Sequence, residues 1–234
     1  MANSARKLLI QSFGTDGEVI TWDASANFAT VSTGTSGHVL TSNGAGAAPT
    51  FQAASGAMVF IASSTASSSA TIDFTSGIGS TYDEYIFVIV DLLPATNATS
   101  LWARFSDDGG STWEAGATDY LYASLAYDSD GSPTDVNNDA GQAQMVISTP
   151  LSNTAGNTHN GKVMLSSPSN TTYDKNLVYR MGGVDSSGNS SGLIGASRLN
   201  QGGGTWAAID GVRFLMSSGN IASGDFYLYG IKKS

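Results

Sequence analysis

The chain has 234 residues, a formal net charge of −9 and no cysteine. Without cysteine it can form neither a disulfide framework nor a thiolate zinc site, and two histidines leave little for a histidine metal site, so we expect no cofactor and no metal ion. The acidic charge disfavours nucleic acid as a partner. No apolar run approaches the ~20 residues that cross a bilayer, so we also expect no membrane insertion.

Residues 1–12 combine two basic residues with a short apolar run, Leu8-Leu9-Ile10. The run ends at Gln11, which makes it too short for the apolar region of a secretory signal peptide. We therefore expect a chain that is not exported by that route, and we treat residues 1–12 as a separate N-terminal segment.

A repeat follows in residues 13–56. The pattern Gly-Thr-x-Gly-x-Val-(Ile/Leu)-Thr begins at Gly14 and begins again 20 residues later at Gly34. Glycine supplies the positive φ that a turn needs, whereas Val, Ile and Thr favour extended backbone. Each copy therefore predicts a turn followed by a short strand.

The two copies carry too few apolar side chains to bury a face of their own, because about 40 residues is near the lower limit for independent folding. A core shared between chains wound about one axis removes this difficulty. We therefore predict a homotrimeric stalk that buries Val19, Ile20, Val39 and Leu40 of each chain. The alternative is a flexible linker, for which the Gly- and Ala-rich residues 44–56 are typical.

Residues 57–234 contain short β-rich runs separated by Gly, Ser, Asn, Asp and Pro. Residues 85–90 are apolar throughout, which indicates a strand covered on both faces, and Val212, Phe214 and Met216 alternate with other residues. About ten such runs predict a two-sheet fold.

The predicted fold class is all-β, with a short trimeric β-repeat stalk followed by a jelly-roll-like β-sandwich. Residues 116–126 are the one segment for which we also consider a helix.

Residues 106–113 fit the pattern Ser-x-Asp-x-Gly-x-Thr-Trp, which is similar to the Asp-box of sialidases and other β-propeller proteins. The resemblance implies a hairpin turn in which Asp108 accepts backbone N–H groups, Gly110 takes a left-handed conformation and Trp113 caps the hairpin. A sialidase would carry several copies in a far longer chain, so we interpret this single copy as a structural turn.

The acidic residues Asp128, Asp130 and Asp135 follow one another closely and suggest calcium. An EF-hand loop needs Gly at its sixth position and a bidentate acid at its twelfth, whereas Gly131 is fourth here and the twelfth residue is Asp139. We favour a solvated turn and leave calcium binding open.

Catalytic motifs are absent from the sequence. It contains no Gly-x-Ser-x-Gly elbow, no Walker-type loop and no His-Glu-x-x-His element. Glycoside hydrolysis needs two carboxylates roughly 5–9 Å apart, and the many acids in Gly- and Ser-rich turns single out no pair. We expect no catalytic residues and no enzymatic activity. A β-sandwich carbohydrate-active enzyme is the alternative.

The stretch Gly34-Thr-Ser-Gly-His-Val-Leu-Thr-Ser-Asn-Gly-Ala-Gly-Ala-Ala-Pro-Thr-Phe51 resembles the short repeats of tailed-bacteriophage fibre proteins. The ending Ile221-Ala-Ser-Gly-Asp-Phe-Tyr-Leu-Tyr-Gly-Ile231 is similar to the last strand of the β-sandwich heads that such fibres carry. The resemblance implies a trimeric, non-enzymatic virion protein that is made in the host cytoplasm and displayed on the particle surface.

On this interpretation, residues 1–12 attach the protein to a tail or capsid protein, residues 13–56 form the stalk and linker, and residues 57–234 form a head that binds a glycan or protein of the host surface. A capsid-attached head fibre or decoration protein is the alternative to a tail fibre or spike.

Glycan recognition uses aromatic rings that stack on sugars, together with short polar side chains that bond their hydroxyls. Aromatic residues set among Asn and Asp turns are therefore our candidate host contacts. They are Trp113, Tyr120, Tyr122, Tyr127, Tyr173 and Trp206. For each ring taken singly, the alternative is a place in the core or in a hairpin cap.

Overall fold

The computed structural model describes residues 16–23, 25, 27–54, 56–131, 136–200 and 207–232, with the side chains of 136–140 left aside. The chain divides into two compact units, Met1–Gly56 and Ala57–Ser234. We call the first the repeat unit and the second the body. The division falls where the predicted head begins.

The described residues of the repeat unit form two separate antiparallel hairpins, one for each copy of the repeat. Their strands are β1 (Val19–Trp22) and β2 (Phe28–Val31), then β3 (His38–Thr41) and β4 (Thr50–Ala53). The equivalent turn glycines Gly17 and Gly37 have nearly identical φ values of 89° and 87°. The predicted order of turn and then strand is therefore present in both copies.

The described part of the body contains twelve strands. They are β5 (Met58–Ser69), β6 (Thr71–Phe74), β7 (Glu84–Pro94), β8 (Leu101–Ser106), β9 (Tyr120–Asp128), β10 (Val136–Gln142), β11 (Met145–Val146), β12 (His159–Ser166), β13 (Asn176–Val184), β14 (Ser190–Leu199), β15 (Gly211–Met216) and β16 (Ile221–Ile231).

These strands form two antiparallel sheets of unequal width. The large sheet has eight strands in the order β10-β9-β14-β13-β12-β7-β16-β5, and the small sheet has four in the order β11-β8-β15-β6. The prediction of an all-β sandwich is confirmed. The two sheets divide their strands less evenly than the eight-stranded jelly roll does.

The helix considered for residues 116–126 is wrong. Tyr120–Asp128 is strand β9, which pairs with β14 on one side and with β10 on the other. Alanine and leucine in this segment favour a helix when taken alone, but two rows of backbone hydrogen bonds outweigh such preferences.

Aromatic rings join the two sheets at the centre of the body. Phe214 of β15 lies with its ring centroid 6.5 Å from that of Phe74 on β6, 5.2 Å from Phe87 on β7 and 5.4 Å from Phe226 on β16. Phe87 and Phe226 belong to the large sheet, whereas Phe74 and Phe214 belong to the small sheet. All four rings are buried, so they hold the sheets face to face.

The Asp-box segment forms the predicted turn after β8. The Asp108 carboxylate accepts the Thr112 N–H at 2.9 Å, the Thr112 hydroxyl at 2.7 Å and the Ser106 hydroxyl at 2.8 Å, and these bonds lower its pKa. Gly110 is left-handed with φ at 85°. Trp113 stacks on the Arg213 guanidinium, whose carbon lies 4.3 Å from the ring centroid.

Two neighbouring glycines of this turn provide a matched test. Gly109 and Gly110 both have positive φ, but a β-carbon on Gly109 would meet open space, whereas one on Gly110 would overlap Thr75 and lie 3.2 Å from Trp113. We expect Gly109→Ala to destabilise the body by about 1–2 kcal/mol, the ordinary cost of a left-handed residue. Gly110→Ala should cost about 1–3 kcal/mol more because of overpacking. Urea unfolding measures both, and equal losses would contradict the packing of this turn.

Candidate functional site

A cleft with a volume of about 420 Å³ opens at one margin of the body. It lies between strands β9 and β14 of the large sheet and the segment that follows β11. The small sheet ends at β11, which has only two residues. The inner face of β9 therefore extends past the small sheet, and Tyr122, Ser124 and Ala126 point from it into the cleft at every second position.

Buried hydroxyl groups line the deep part of the cleft. Ser124, Ser148 and Ser191 are all less than a tenth exposed. Ser148 Oγ accepts the Leu101 N–H at 2.8 Å and donates to the Thr149 carbonyl at 2.9 Å, while the Thr149 and Ser191 hydroxyls are 3.2 Å apart. Because the hydroxyls of Ser148, Thr149 and Ser191 are hydrogen-bonded, this part of the cleft offers a preorganised polar surface.

The β13–β14 turn supplies a carboxylate to the rim of the cleft. Asp185 Oδ1 accepts the N–H groups of Ser187 and Asn189, both at 2.8 Å. Burial acts to raise the pKa of Asp185, but the N–H of Asn189, a hydrogen bond with Asp128 and the N–H of Ser187 outweigh burial and lower it. Asp185 is thus held in its ionised form.

Asp128, at the end of β9, shares that hydrogen bond with Asp185. The N–H of Asp130 acts to lower the pKa of Asp128, but burial and the neighbouring carboxyls Asp185 and Asp130 together raise it. Asp128 therefore keeps its proton to a higher pH than an isolated carboxyl. The two carboxyl groups are in direct contact.

The structure brings together two of the six predicted aromatic contacts. Tyr122 and Tyr127 both line the cleft. Trp113 is half-buried in the Asp-box turn, away from the cleft residues, and Tyr173 is 64% exposed on the loop between β12 and β13. Trp206 lies outside the described residues.

The prediction that Tyr120 contacts a host glycan is wrong. Its side chain is fully buried, and its hydroxyl accepts the Phe105 N–H at 2.8 Å and donates to the Glu114 carbonyl at 3.1 Å. Burial is the main cause that raises the pKa of this phenol. Tyr120 fastens β9 to β8 across the sandwich.

The loop that presents Tyr173 is held by a buried lysine that sequence reasoning missed. Lys175 has no exposed surface, and its Nζ donates to the carbonyls of Asn170 and Tyr173, the latter at 3.0 Å. Burial is the main cause that lowers the pKa of this ammonium. Nothing in the local sequence distinguishes Lys175 from an exposed lysine.

The predicted stalk residues are not buried within their own chain. Ile20, Val39 and Leu40 are 48%, 49% and 46% exposed, and Val19 is half-buried. Sequence reasoning missed a further pair on the Ile20 face of the first hairpin. Trp22 and Phe28 stack with ring centroids 4.3 Å apart and are 59% and 45% exposed.

The acidic segment that suggested calcium, residues 128–135, is described only in part, because residues 132–135 fall outside the described ranges. Within those ranges, no group of three or more His, Asp or Glu side chains is placed to hold a metal ion. The described residues likewise include no helix with the length and apolar character to span a bilayer.

The buried imidazole of His159 supports the cleft from behind. It is 1% exposed, and its Nε2 hydrogen-bonds to the carbonyl of Val184, the residue before Asp185. Burial is the main cause that lowers the pKa of His159, although the Val184 bond and the Asp185 charge act in the opposite direction. The folded protein therefore favours the neutral imidazole.

This burial predicts a pH dependence of stability. The contribution of His159 to the free energy of unfolding is complete at pH values above the ordinary imidazole pKa of 6.5. It is lost as the pH falls below that value, because the unfolded chain then binds a proton that the folded chain excludes. Between pH 7 and pH 5, we expect the melting temperature of the wild-type protein to fall further than that of the His159→Gln variant. His38→Gln, at an exposed position on β3, is the control and should behave as wild type. Parallel curves for wild type and His159→Gln would contradict this account.

Comparison with known proteins gives no match: no protein-family model, no curated protein and no solved structure is significantly similar to the chain.

Proposed function

We propose that the chain is a structural protein of a tailed-bacteriophage particle, a short trimeric fibre or spike displayed on the particle surface. Its N-terminus attaches it to the particle and its body binds the host cell surface through a glycan. The observation that carries the proposal is the repeat unit, whose hairpins leave their apolar side chains exposed in a single chain.

An isolated two-stranded hairpin is at best marginally stable in water. In the first hairpin, Ile20 and Trp22 share one face with Phe28, and all three are exposed. In the second, Leu40 pairs with Phe51. Among the described residues of the repeat unit, only Val31 is a buried hydrophobic side chain. Chains that associate through these faces supply one another with the missing core.

The cleft supports a binding role for the body. Tyrosine rings and fixed hydroxyls are the groups that recognise sugars. A glycosidase needs its two carboxyls roughly 5–9 Å apart, so that a sugar and a nucleophile or water fit between them. Asp128 and Asp185 instead bond directly to each other, which supports binding without hydrolysis.

The oligomeric state tests the stalk. We expect the full-length protein to sediment as a trimer of 24.0 kDa chains at micromolar concentration. Leu40→Asp should dissociate it, since each buried leucine contributes about 1.5–3 kcal/mol and three are lost together. Ser36→Asp is the matched control, because the other repeat copy carries Asp16 at the equivalent position. A monomeric wild-type protein would contradict the shared core.

Binding to immobilised bacterial surface glycans tests the body. We expect the full-length protein to bind a subset of them, and Tyr122→Ala to weaken that binding about tenfold or more through the loss of a stacking face. Ala123→Ser, at the next and outward-pointing position of β9, should leave binding unchanged. Release of reducing ends from a bound glycan would contradict the non-enzymatic assignment, and absence of any glycan binding would contradict the glycan-binding role of the body.

A further inference from the structure

Two cations lie directly opposite each other on the outer face of the large sheet. Lys162 of β12 pairs in register with Arg180 of β13, and both side chains are exposed. The two ion pairs of the described residues use Arg198 and Arg213 instead. Like charges directly opposite each other on a sheet repel, so this arrangement destabilises the free protein unless an anion lies between them.

The cations border a shallow depression of about 540 Å³, which we call the trough. Its lining consists of Val88, Ile89, Val90, Tyr127, Asn160, Gly161, Lys162, Arg180 and Gly182. Its polar side chains belong to Tyr127, Asn160, Lys162 and Arg180, and none of them is a carboxylate. This contrasts with the cleft, whose rim carries Asp128, Asp130 and Asp185.

The polar side chains of the trough are arranged as hydrogen-bond donors. The Asp91 N–H donates to Asn160 Oδ1 at 2.9 Å, which orients the Asn160 amide, and no acceptor for its Nδ2 hydrogens is found among the residues that the structure describes. The Asp91 carboxylate is turned to the Thr158 hydroxyl at 3.2 Å. A site with two cations, an amide donor and no lining carboxylate fits an oxyanion.

An aromatic ring lies beside these donors. Tyr127 lies over Gly192 so closely that a β-carbon there would overlap its ring, and its hydroxyl reaches towards Gly182. Among the described residues its hydroxyl has no hydrogen-bond partner. Tyr127 lines both the trough and the cleft, so it connects the donor-rich surface with the acidic one.

We infer that the trough binds the anionic group of an acidic glycan, a carboxylate or phosphate carried by a sugar. Lys162 and Arg180 contact the oxyanion, Asn160 donates to it, and the sugar ring packs on Tyr127. The inference rests on the proposed glycan-binding function and deepens it by naming the ligand class.

The experiment titrates the full-length protein with three probes by calorimetry at low salt. They are a galacturonate oligosaccharide, a mannose 6-phosphate oligosaccharide and neutral maltohexaose. We expect at least one acidic probe to bind more tightly than maltohexaose and to weaken as salt is raised. Lys162→Gln and Arg180→Gln should each reduce its affinity tenfold or more. The two acidic arms distinguish a carboxylate from a phosphate ligand.

Arg198→Gln is the matched control, since it removes one positive charge from the same sheet at a residue already paired with Asp174. It should change affinity less than twofold. The Lys162→Gln, Arg180→Gln double variant should melt no lower than wild type, because a like-charge contact is removed, so lost binding cannot be attributed to unfolding. Failure of both acidic probes to bind, or equal weakening by Arg198→Gln, overturns the inference. If the acidic probes fail but the protein still binds immobilised neutral glycans, the inference is wrong and the proposed glycan-binding function is not contradicted.

Discussion

The small sheet is narrower than the large sheet it packs on. Four strands cannot cover eight, so the core can be sealed only where both sheets are present. Phe74, Phe87, Phe214 and Phe226 occupy that shared area. Beyond it, the large sheet continues to β9, whose Tyr122, Ser124 and Ala126 line the cleft. The cleft is the direct result of this mismatch in width.

Hydrogen bonds hold the lining of the cleft in one arrangement. Among its deep hydroxyls, Ser148 is bonded to the Leu101 N–H of the small sheet and Ser191 to the Thr149 hydroxyl, and the residue before its rim carboxylate Asp185 is bonded to His159. Polar groups buried in this way have to be satisfied, and once satisfied they hold one arrangement. A ligand that enters the cleft therefore meets groups that are already in place.

The alternation of apolar and polar residues was enough to predict about ten strands of the body, because side-chain period is a local property, but it left the segment of β9 open to a helix. Strand order is not local. Asp128 and Asp185 meet only because β9 and β14 are neighbours, although 57 positions separate the two residues in the chain. The burial of Tyr120 was equally unpredictable, because its two hydrogen-bond partners are backbone groups of Phe105 and Glu114. The hydrogen bonds of Asp108 could be predicted because its partners Ser106 and Thr112 are close in sequence, whereas the stacking of Trp113 on the distant Arg213 could not.

Within the described part of the repeat unit, the hairpins are self-contained in their backbone pairing, since β1 bonds only β2 and β3 bonds only β4. Each twenty-residue copy is thus a module. Duplication or deletion of one copy in the gene changes the number of hairpins without disturbing the hydrogen bonds of the others. Recombination within the gene can therefore change the number of hairpins while the sequence of the body stays as it is.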